Sequence, residues 1–407
     1  MTRHEIIRLG QQGDGIAEGP VYAPLTLPGE IVTGVLDGSR LTDIRIETPS
    51  SDRVSAPCRH FRSCGGCQLQ HASDDFLATW KTDVVATALA AHGIEAAFLP
   101  IWTSPPQSRR RASFAARRTK KGAMAGFHAK GSDVVVEIPD CQLLHPDLMA
   151  ALPVAQALAI AGASRKNGIS VAATVTESGL DLAVSEGKPL DGPLRIELAH
   201  LAEAHDLARL VWGDEVIATR RPPEKVFGPA RVQLPPGSFL QATAEGQAAL
   251  LSEVARITDG AKRIVDLFAG CGTFSLPLAM RSEVHAVEGD GAMTGALDAG
   301  WRKTQGLKQV THEVRDLFRQ PLLPDELTRF DAAVIDPPRA GAQAQIAELC
   351  QTGIPRIAYV SCNPTSFARD AATLIAAGYA LGPVTVVDQF RWSTHVELVA
   401  EFSITSG

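Results

Sequence analysis

Three of the seven cysteines in this 407-residue chain, Cys58, Cys64 and Cys67, fall within ten positions, in "CRHFRSCGGC", and a fourth, Cys141, follows at a distance. Cys-x5-Cys-x2-Cys with one distant thiol suits either tetrahedral zinc or an iron–sulfur cluster, and the spacing does not choose between them. Gly65 and Gly66 would bring backbone amides close to the sulfurs, a common way of tuning such a centre. The first residues, "MTRHEIIRLGQQGDG", carry early charges and no apolar signal-like stretch, and no apolar run approaches the roughly 18 residues that span a bilayer. A cytoplasmic protein is expected, where thiols stay reduced and clustered cysteines bind metal or react rather than pair.

A second constellation lies in the last third of the chain. "VDLFAGCGTFSLPLA" (265–279) reads as a strand, a glycine-bearing turn and a helix start, and Gly270 and Gly272 let the backbone approach a ligand. Glu288, at the end of the next expected strand, suits the ribose hydroxyls of a nucleoside. The turn has too few glycines for a dinucleotide fingerprint, which disfavours NAD. The spacing resembles that of class I methyltransferases, which bind S-adenosylmethionine. "AVIDPPRAG" (333–341) ends a further strand, where open α/β sheets place their ligands. Arg339 stands where many amino-methylating enzymes carry an aromatic, so a different target chemistry is expected.

Beside these lies "RIAYVSCNPTSFARD" (356–370). A lone strand-end cysteine such as Cys362 is ordinarily a buried small hydrophobe, but its place next to the cofactor loop reverses those odds. Carbon 5 of uracil or cytosine is too weak a nucleophile to take a methyl group unaided. A thiolate adding at carbon 6 makes carbon 5 nucleophilic, and a base must afterwards remove the carbon-5 proton. Glu397, within the apolar "RWSTHVELVAEF" (391–402), is a candidate base, since a carboxylate there is costly unless used or paired. The alternation His395, Glu397, Val399 also allows an exposed strand position. His395 ranks second, as a positioning group.

The elements that must position these residues follow from the pattern. Residues 1–52 alternate in short strands broken by turns and predict a small OB-like β-barrel; residues 53–232 predict a central α/β domain; residues 233–407, strands alternating with helices, predict a doubly wound parallel sheet. Part of 72–105, including the helical "DDFLATWKTDVVATALAAHG", is expected to pack on the last domain. A formal net charge of −6 does not advertise a nucleic-acid binder. Yet no acidic residue lies between Ala96 and Ser132, whereas Arg109, Arg110, Arg111, Arg117, Arg118, Lys120 and Lys121 are all basic. That local asymmetry is what a phosphate-backbone contact requires.

In this order "CGGCQLQH", "RRRASF", "PGSFLQ", "DLFAGCGTFSLPLA", "VEGD", "DPPRAG", "SCNP" and "HVELVAEF" run through nearly the whole chain, and together they resemble the RNA uracil-5-methyltransferases of the TrmA/RumA type. The resemblance implies a TRAM-type barrel and a class I methyltransferase domain. It implies Cys362 as nucleophile and Glu397 as base, and Gln241, Phe268, Thr273, Glu288, Asp316 and Asp336 around S-adenosylmethionine. Thr273 and Asp316 depart from the usual pattern, where asparagine is frequent. It further implies a [4Fe-4S] cluster on Cys58, Cys64, Cys67 and Cys141. Relatives carrying both cluster and barrel typically act on ribosomal RNA, so 23S rRNA is the expected partner of a monomeric enzyme. A transfer-RNA enzyme and a non-catalytic iron–sulfur RNA-binding protein are the alternatives; a cytosine-C5 enzyme would typically carry a "PC" motif that is absent.

Overall fold

The computed structural model describes residues 1–164 and 167–404. Alternation of buried and exposed positions closes five strands, Thr2–Leu9, Gly15–Ala17, Val21–Ala23, Ile31–Asp37 and Arg40–Thr48, into a barrel around Ile6, Ala17, Val32 and Leu41. A seven-stranded sheet follows, running in spatial order from Glu215–Thr219 through Arg209–Trp212, Gly179–Ser185, Ile169–Thr176, Arg111–Thr119 and Gly122–His128 to Val135–Glu137. Its apolar side packs under the helices Ala151–Gly162 and Gly192–Ala204.

The last sheet has eight strands, in the order Val310–Val314, Glu283–Glu288, Arg263–Leu267, Ala332–Ile335, Arg356–Ser361, Glu397–Ile404, Tyr379–Asp388 and Trp102–Thr103. The first five are parallel, as their near-continuous apolar sequences require of strands covered on both faces. Period-two alternation sends Val265, Leu267, Ala333 and Ile335 into one core and Ile264, Ala332 and Val334 into the other. Glu397–Ile404 departs from the parallel pattern, pairing antiparallel with both of its neighbours. The helix Asp74–Ala90, capped by Ser73 Oγ on the Phe76 N–H at 3.2 Å, packs on the helix Pro364–Ala376, and Trp102–Thr103 extends the sheet edge. The chain turns back between Arg263–Leu267 and Ala332–Ile335, the switch point at which such sheets open a crevice. Among the described residues no helix is long and apolar enough to cross a membrane.

Candidate active site

Phe268 follows the strand Arg263–Leu267 with φ +65°, a left-handed conformation that costs a non-glycine residue about 1–3 kcal/mol. The N–H groups of Phe268 and Ala269 hold it there by donating to Val287 O at 2.9 and 3.1 Å. Gly270 and Gly272 continue at φ +56° and +92°, and the space facing Gly270 is open. Glu288 closes the turn, accepting the Gly270 N–H on Oε2 at 2.9 Å and the Asp290 N–H on Oε1 at 3.0 Å. Thr273 lies half-buried in the same turn. Exposed Asp316 accepts the Phe318 N–H at 3.0 Å, and the Phe318 ring meets that of Phe268 with centroids 5.5 Å apart.

Across the switch point lies a nest of carboxyls. Asp266 is fully buried and accepts from Ser275 Oγ at 2.5 Å, while its Oδ1 has no partner among the described residues. Burial pushes it up to about 7, with the charge of Glu288 adding and the Ser275 hydrogen bonds opposing. Asp336, after the strand Ala332–Ile335, is raised to about 7 by burial and then by Asp266. Glu397 is 3% exposed, so its strand position faces inward. Burial and the neighbouring Asp336 push it up to about 8, against the opposing hydrogen bond from Gln389. Anions held so closely without a counter-charge favour a cation among them.

Cys362 follows the strand Arg356–Ser361 at the same end of the sheet. Asn363 caps the next helix by accepting the Thr365 N–H at 3.1 Å, with Pro364 in the first turn, where its missing N–H costs nothing. Asn363 Nδ2 and Ser366 Oγ both donate to Arg339 O, at 2.8 and 3.1 Å, locking the "DPPRAG" turn onto the turn that carries Cys362. The half-buried thiol is pushed up to about 11 by burial first, then by Glu397 and Asp336, while Arg339 opposes.

Gln241 and Gln389 join these groups. Gln241 Nε2 donates to Asp336 Oδ2 at 3.4 Å; Gln389 Nε2 donates to Gln241 Oε1 at 2.6 Å and to Glu397 Oε2 at 2.9 Å. Gln389 Oε1 accepts the Ala242 N–H at 2.8 Å. Gly246 must lack a side chain, because a Cβ there would sit 2.6 Å from Gln389 Cβ. Sequence reasoning missed Gln389; the available signal was a buried amide at the end of the apolar run "VTVVDQ". His395 is exposed and makes no bond to Glu397.

The basic stretch divides. Arg110 is 6% exposed, donating to Gln241 O at 3.1 Å and to Gln247 Oε1 at 2.7 Å; Arg111 donates to Leu240 O at 2.8 Å; Arg109 donates to Arg111 O at 3.0 Å. The Arg110 and Arg111 guanidiniums are spent on the segment carrying Gln241, that of Arg109 on the Arg111 carbonyl, and Arg110 is withdrawn from the surface. The expected basic patch is corrected at Arg110, which is buried, while Arg117, Arg118, Lys120 and Lys121 stay exposed, on the hairpin of Arg111–Thr119 and Gly122–His128. Against the seven-stranded sheet a cavity of about 380 Å³ is lined by Arg109, Arg111, Phe239 and Phe390, with the Arg111 guanidinium 5.1 Å from the Phe239 ring centre.

The four early cysteines share one buried locus. Cys67 is pushed up to about 12 by burial and by the fields of Cys141, Cys64 and Cys58, with Gln70 opposing. Gly66 N–H donates to Cys64 Sγ at 3.4 Å, and a Cβ on Gly66 would press the Phe127 ring at 3.0 Å. Lys130 and Arg109 both lie in the field of Cys67. Among the described residues no three His, Cys, Asp or Glu side chains converge closely enough to hold a single metal ion.

Residues 303–401 match the family described as tRNA (uracil-5-)-methyltransferase. A Brucella suis biovar 1 (strain 1330) protein named an uncharacterized RNA methyltransferase is 44% identical over 395 residues, covering 96% of this chain and 95% of its own. The 23S rRNA (uracil(1939)-C(5))-methyltransferase of Shewanella woodyi is 31% identical over 424 residues, covering 98% and 95%. The crystal structure of Pyrococcus abyssi tRNA (uracil-54, C5)-methyltransferase in complex with S-adenosyl-L-homocysteine shares the fold, with a TM-score of 0.77 at 21% identity over 98% of this chain and 99% of its own.

Proposed function

Since this chain belongs to the RNA uracil-5-methyltransferase family, we propose that it methylates carbon 5 of a uridine in 23S rRNA, with Cys362 as nucleophile and Glu397 as base. The observation that carries the reading is the meeting of Cys362, Glu397 and Asp336 at the carboxyl ends of the parallel strands, with the two carboxyls tied together through Gln241 and Gln389. S-adenosylmethionine supplies, when bound, an electrophilic methyl group on a cationic sulfonium. The residues fit it: the unpartnered Asp266 Oδ1, the raised carboxyls and the open space at Gly270 form an anionic cradle. Gln241, Phe268, Thr273, Glu288, Asp316 and Asp336 would hold it.

In this mechanism the Cys362 thiolate adds to carbon 6 of the uracil, and the electrons of the 5,6 double bond move toward carbon 5 and the 4-carbonyl. After carbon 5 has gained its methyl group, Glu397 takes the carbon-5 proton. The freed electron pair re-forms the double bond and expels Cys362 as thiolate. Arg339 favours the anionic sulfur before addition and after expulsion.

The same reading places a [4Fe-4S] cluster on Cys58, Cys64, Cys67 and Cys141. What supports it is the donor set: four thiols lying in one another's fields, with an amide donating to sulfur and two cations nearby. Ribosomal RNA is favoured by the likeness to the Shewanella woodyi enzyme, and by the barrel and the cysteine set together. The cavity against the seven-stranded sheet, with its exposed Phe239 under Arg111, offers a stacking platform of the kind that holds splayed-out bases. Incubating the purified protein with labelled S-adenosylmethionine and separate 23S rRNA and tRNA transcripts tests the proposal. Label as 5-methyluridine in 23S rRNA is expected; label only in tRNA would transfer the reading to tRNA, and none in either would overturn it.

A further inference from the structure

The eight-residue connection that brings the chain from Asp388 back to Glu397 carries Gln389, yet it has no regular structure of its own. Its shape comes from a residue more than 300 positions earlier in sequence. Lys81, in the middle of the helix Asp74–Ala90, is 0% exposed, and Nζ donates to Asp388 Oδ1 at 2.5 Å, Phe390 O at 3.1 Å and His395 O at 3.1 Å. An ammonium has three protons, and all three are used on one loop. Asp388 Oδ1 also accepts the Phe390 N–H at 3.1 Å, so the ion pair folds the start of the connection onto itself. On the opposite side Trp392 holds φ +59° and its carbonyl accepts the N–H groups of Gln68 and Leu69 at 2.8 and 3.0 Å. Arg391 adds a bond to Asp74 Oδ2 at 2.6 Å, at the start of the same helix.

A buried lysine gripping two carbonyls and one carboxylate is an expensive way to fill a core, because desolvating both ions offsets much of their attraction. What the grip does here is fix the loop residue on which Glu397 depends. Gln389 immediately follows Asp388, and its amide bonds Glu397 and Gln241 at once. We propose that Lys81 is a positioning residue for the proton-abstraction step: it holds the connection 388–396 so that Gln389 keeps Glu397 aimed at carbon 5. The inference rests on the assignment of Glu397 as base. Lys81 touches neither of the reacting groups. Its loss therefore slows removal of the carbon-5 proton and expulsion of Cys362 while leaving addition and methyl gain intact.

The test follows a methyl label from S-adenosylmethionine into RNA under turnover and then into a protein–RNA band that survives denaturation. The double variant Lys81→Met, Asp388→Asn removes the grip without leaving a lone buried charge. It is expected to keep its KM for S-adenosylmethionine within about twofold, to lose roughly tenfold or more in kcat, and to accumulate labelled covalent adduct. A fall in kcat without adduct, or an unchanged kcat, overturns the inference. If the double variant does not fold, Asp388→Asn alone decides, with adduct above the parent level supporting the inference and parent-level adduct overturning it. Glu397→Gln separates the two layers. No labelled adduct with Glu397→Gln overturns the base assignment and this inference with it; adduct with Glu397→Gln but with neither grip variant overturns this inference alone.

Discussion

Gln389 Nε2 donates to Glu397 Oε2 at 2.9 Å, and one amide hydrogen bond does not offset the burial of that carboxyl beside Asp336, which leaves it at about 8. Its folded pKa thus lies above the usual carboxylate value, so between the two the folded state binds more protons than the unfolded chain. The stability this group contributes is complete below the ordinary value and is lost as pH rises toward 8. Thermal unfolding of Glu397→Gln against the parent is expected to show a gain in Tm that is larger at pH 8 than at pH 5. An equal difference at both pH values would contradict the raised carboxyl.

A cation bound among Asp336, at about 7, and Glu397, at about 8, favours their ionised forms. S-adenosylmethionine binding should therefore release protons near neutral pH and tighten as pH rises from 6 to 8. Calorimetric titrations in buffers of different ionisation enthalpy measure that release directly. Asp336→Asn is expected to reduce both the proton release and the affinity, and proton uptake on binding would refute the anionic cradle.

Cys362 is pushed up to about 11 by burial, Glu397 and Asp336, so the free enzyme holds mostly thiol at neutral pH. Alkylation of the Cys362 peptide, followed by mass spectrometry, is expected to accelerate steadily from pH 7 to 10. Removing one neighbouring anion with Glu397→Gln lowers the thiol pKa and should raise the rate several-fold at pH 8, since the thiolate fraction grows about tenfold when the thiol pKa falls by about one. A pH-independent rate would mean the sulfur is already ionised.

The fold was legible from the sequence wherever local pattern decides it. Apolar strands alternating with helices announced the parallel sheet, and strand-end Cys362, the Gly270 turn and Asp336 mark its carboxyl edge. Glu397 stood out because a charge inside an apolar run must be accounted for. Gln389 and Lys81 were not legible, since an amide and a lysine have no motif of their own. Their roles arise only when the helix Asp74–Ala90 docks beside the connection 388–396. The arginine triplet misled for a related reason: composition counts charges but does not see that the Leu240 and Gln241 carbonyls engage Arg111 and Arg110.

That division of the basic stretch has a measurable consequence. Alanine at Arg117, Arg118, Lys120 and Lys121 is expected to weaken RNA binding and flatten its dependence on salt by up to about 3.6 log units per decade, at about 0.7–0.9 for each phosphate no longer neutralised. S-adenosylmethionine affinity should not change. Arg110→Ala should behave oppositely. It leaves Gln241 O without its guanidinium donor, costing about 1–3 kcal/mol of stability, and disturbs cofactor binding more than the salt slope. An unchanged slope in the four-residue variant would remove this hairpin from the RNA interface.

The cysteine locus is tied to the rest of the enzyme by short bonds rather than by proximity to the reacting groups. Gln68 and Leu69, directly after Cys67, donate to Trp392 O, and a Cβ on barrel residue Gly13 would lie 3.1 Å from Thr394 and 3.2 Å from Gln68. Barrel, cysteine segment and the connection 388–396 therefore meet at one junction, while Gly270, Glu288 and Asp266 lie at and beside the separate glycine turn. Loss of the proposed cluster should loosen the junction and spare the turn. Cys64→Ser is expected to lose absorbance in the visible blue under anaerobic preparation, to unfold at a lower temperature and to bind RNA several-fold more weakly, with S-adenosylmethionine affinity within about twofold of the parent, a difference under roughly 0.5 kcal/mol. A variant that keeps its RNA affinity and Tm but loses S-adenosylmethionine would place the four thiols at the cofactor site instead. A colourless parent holding stoichiometric zinc would replace the cluster with a single ion.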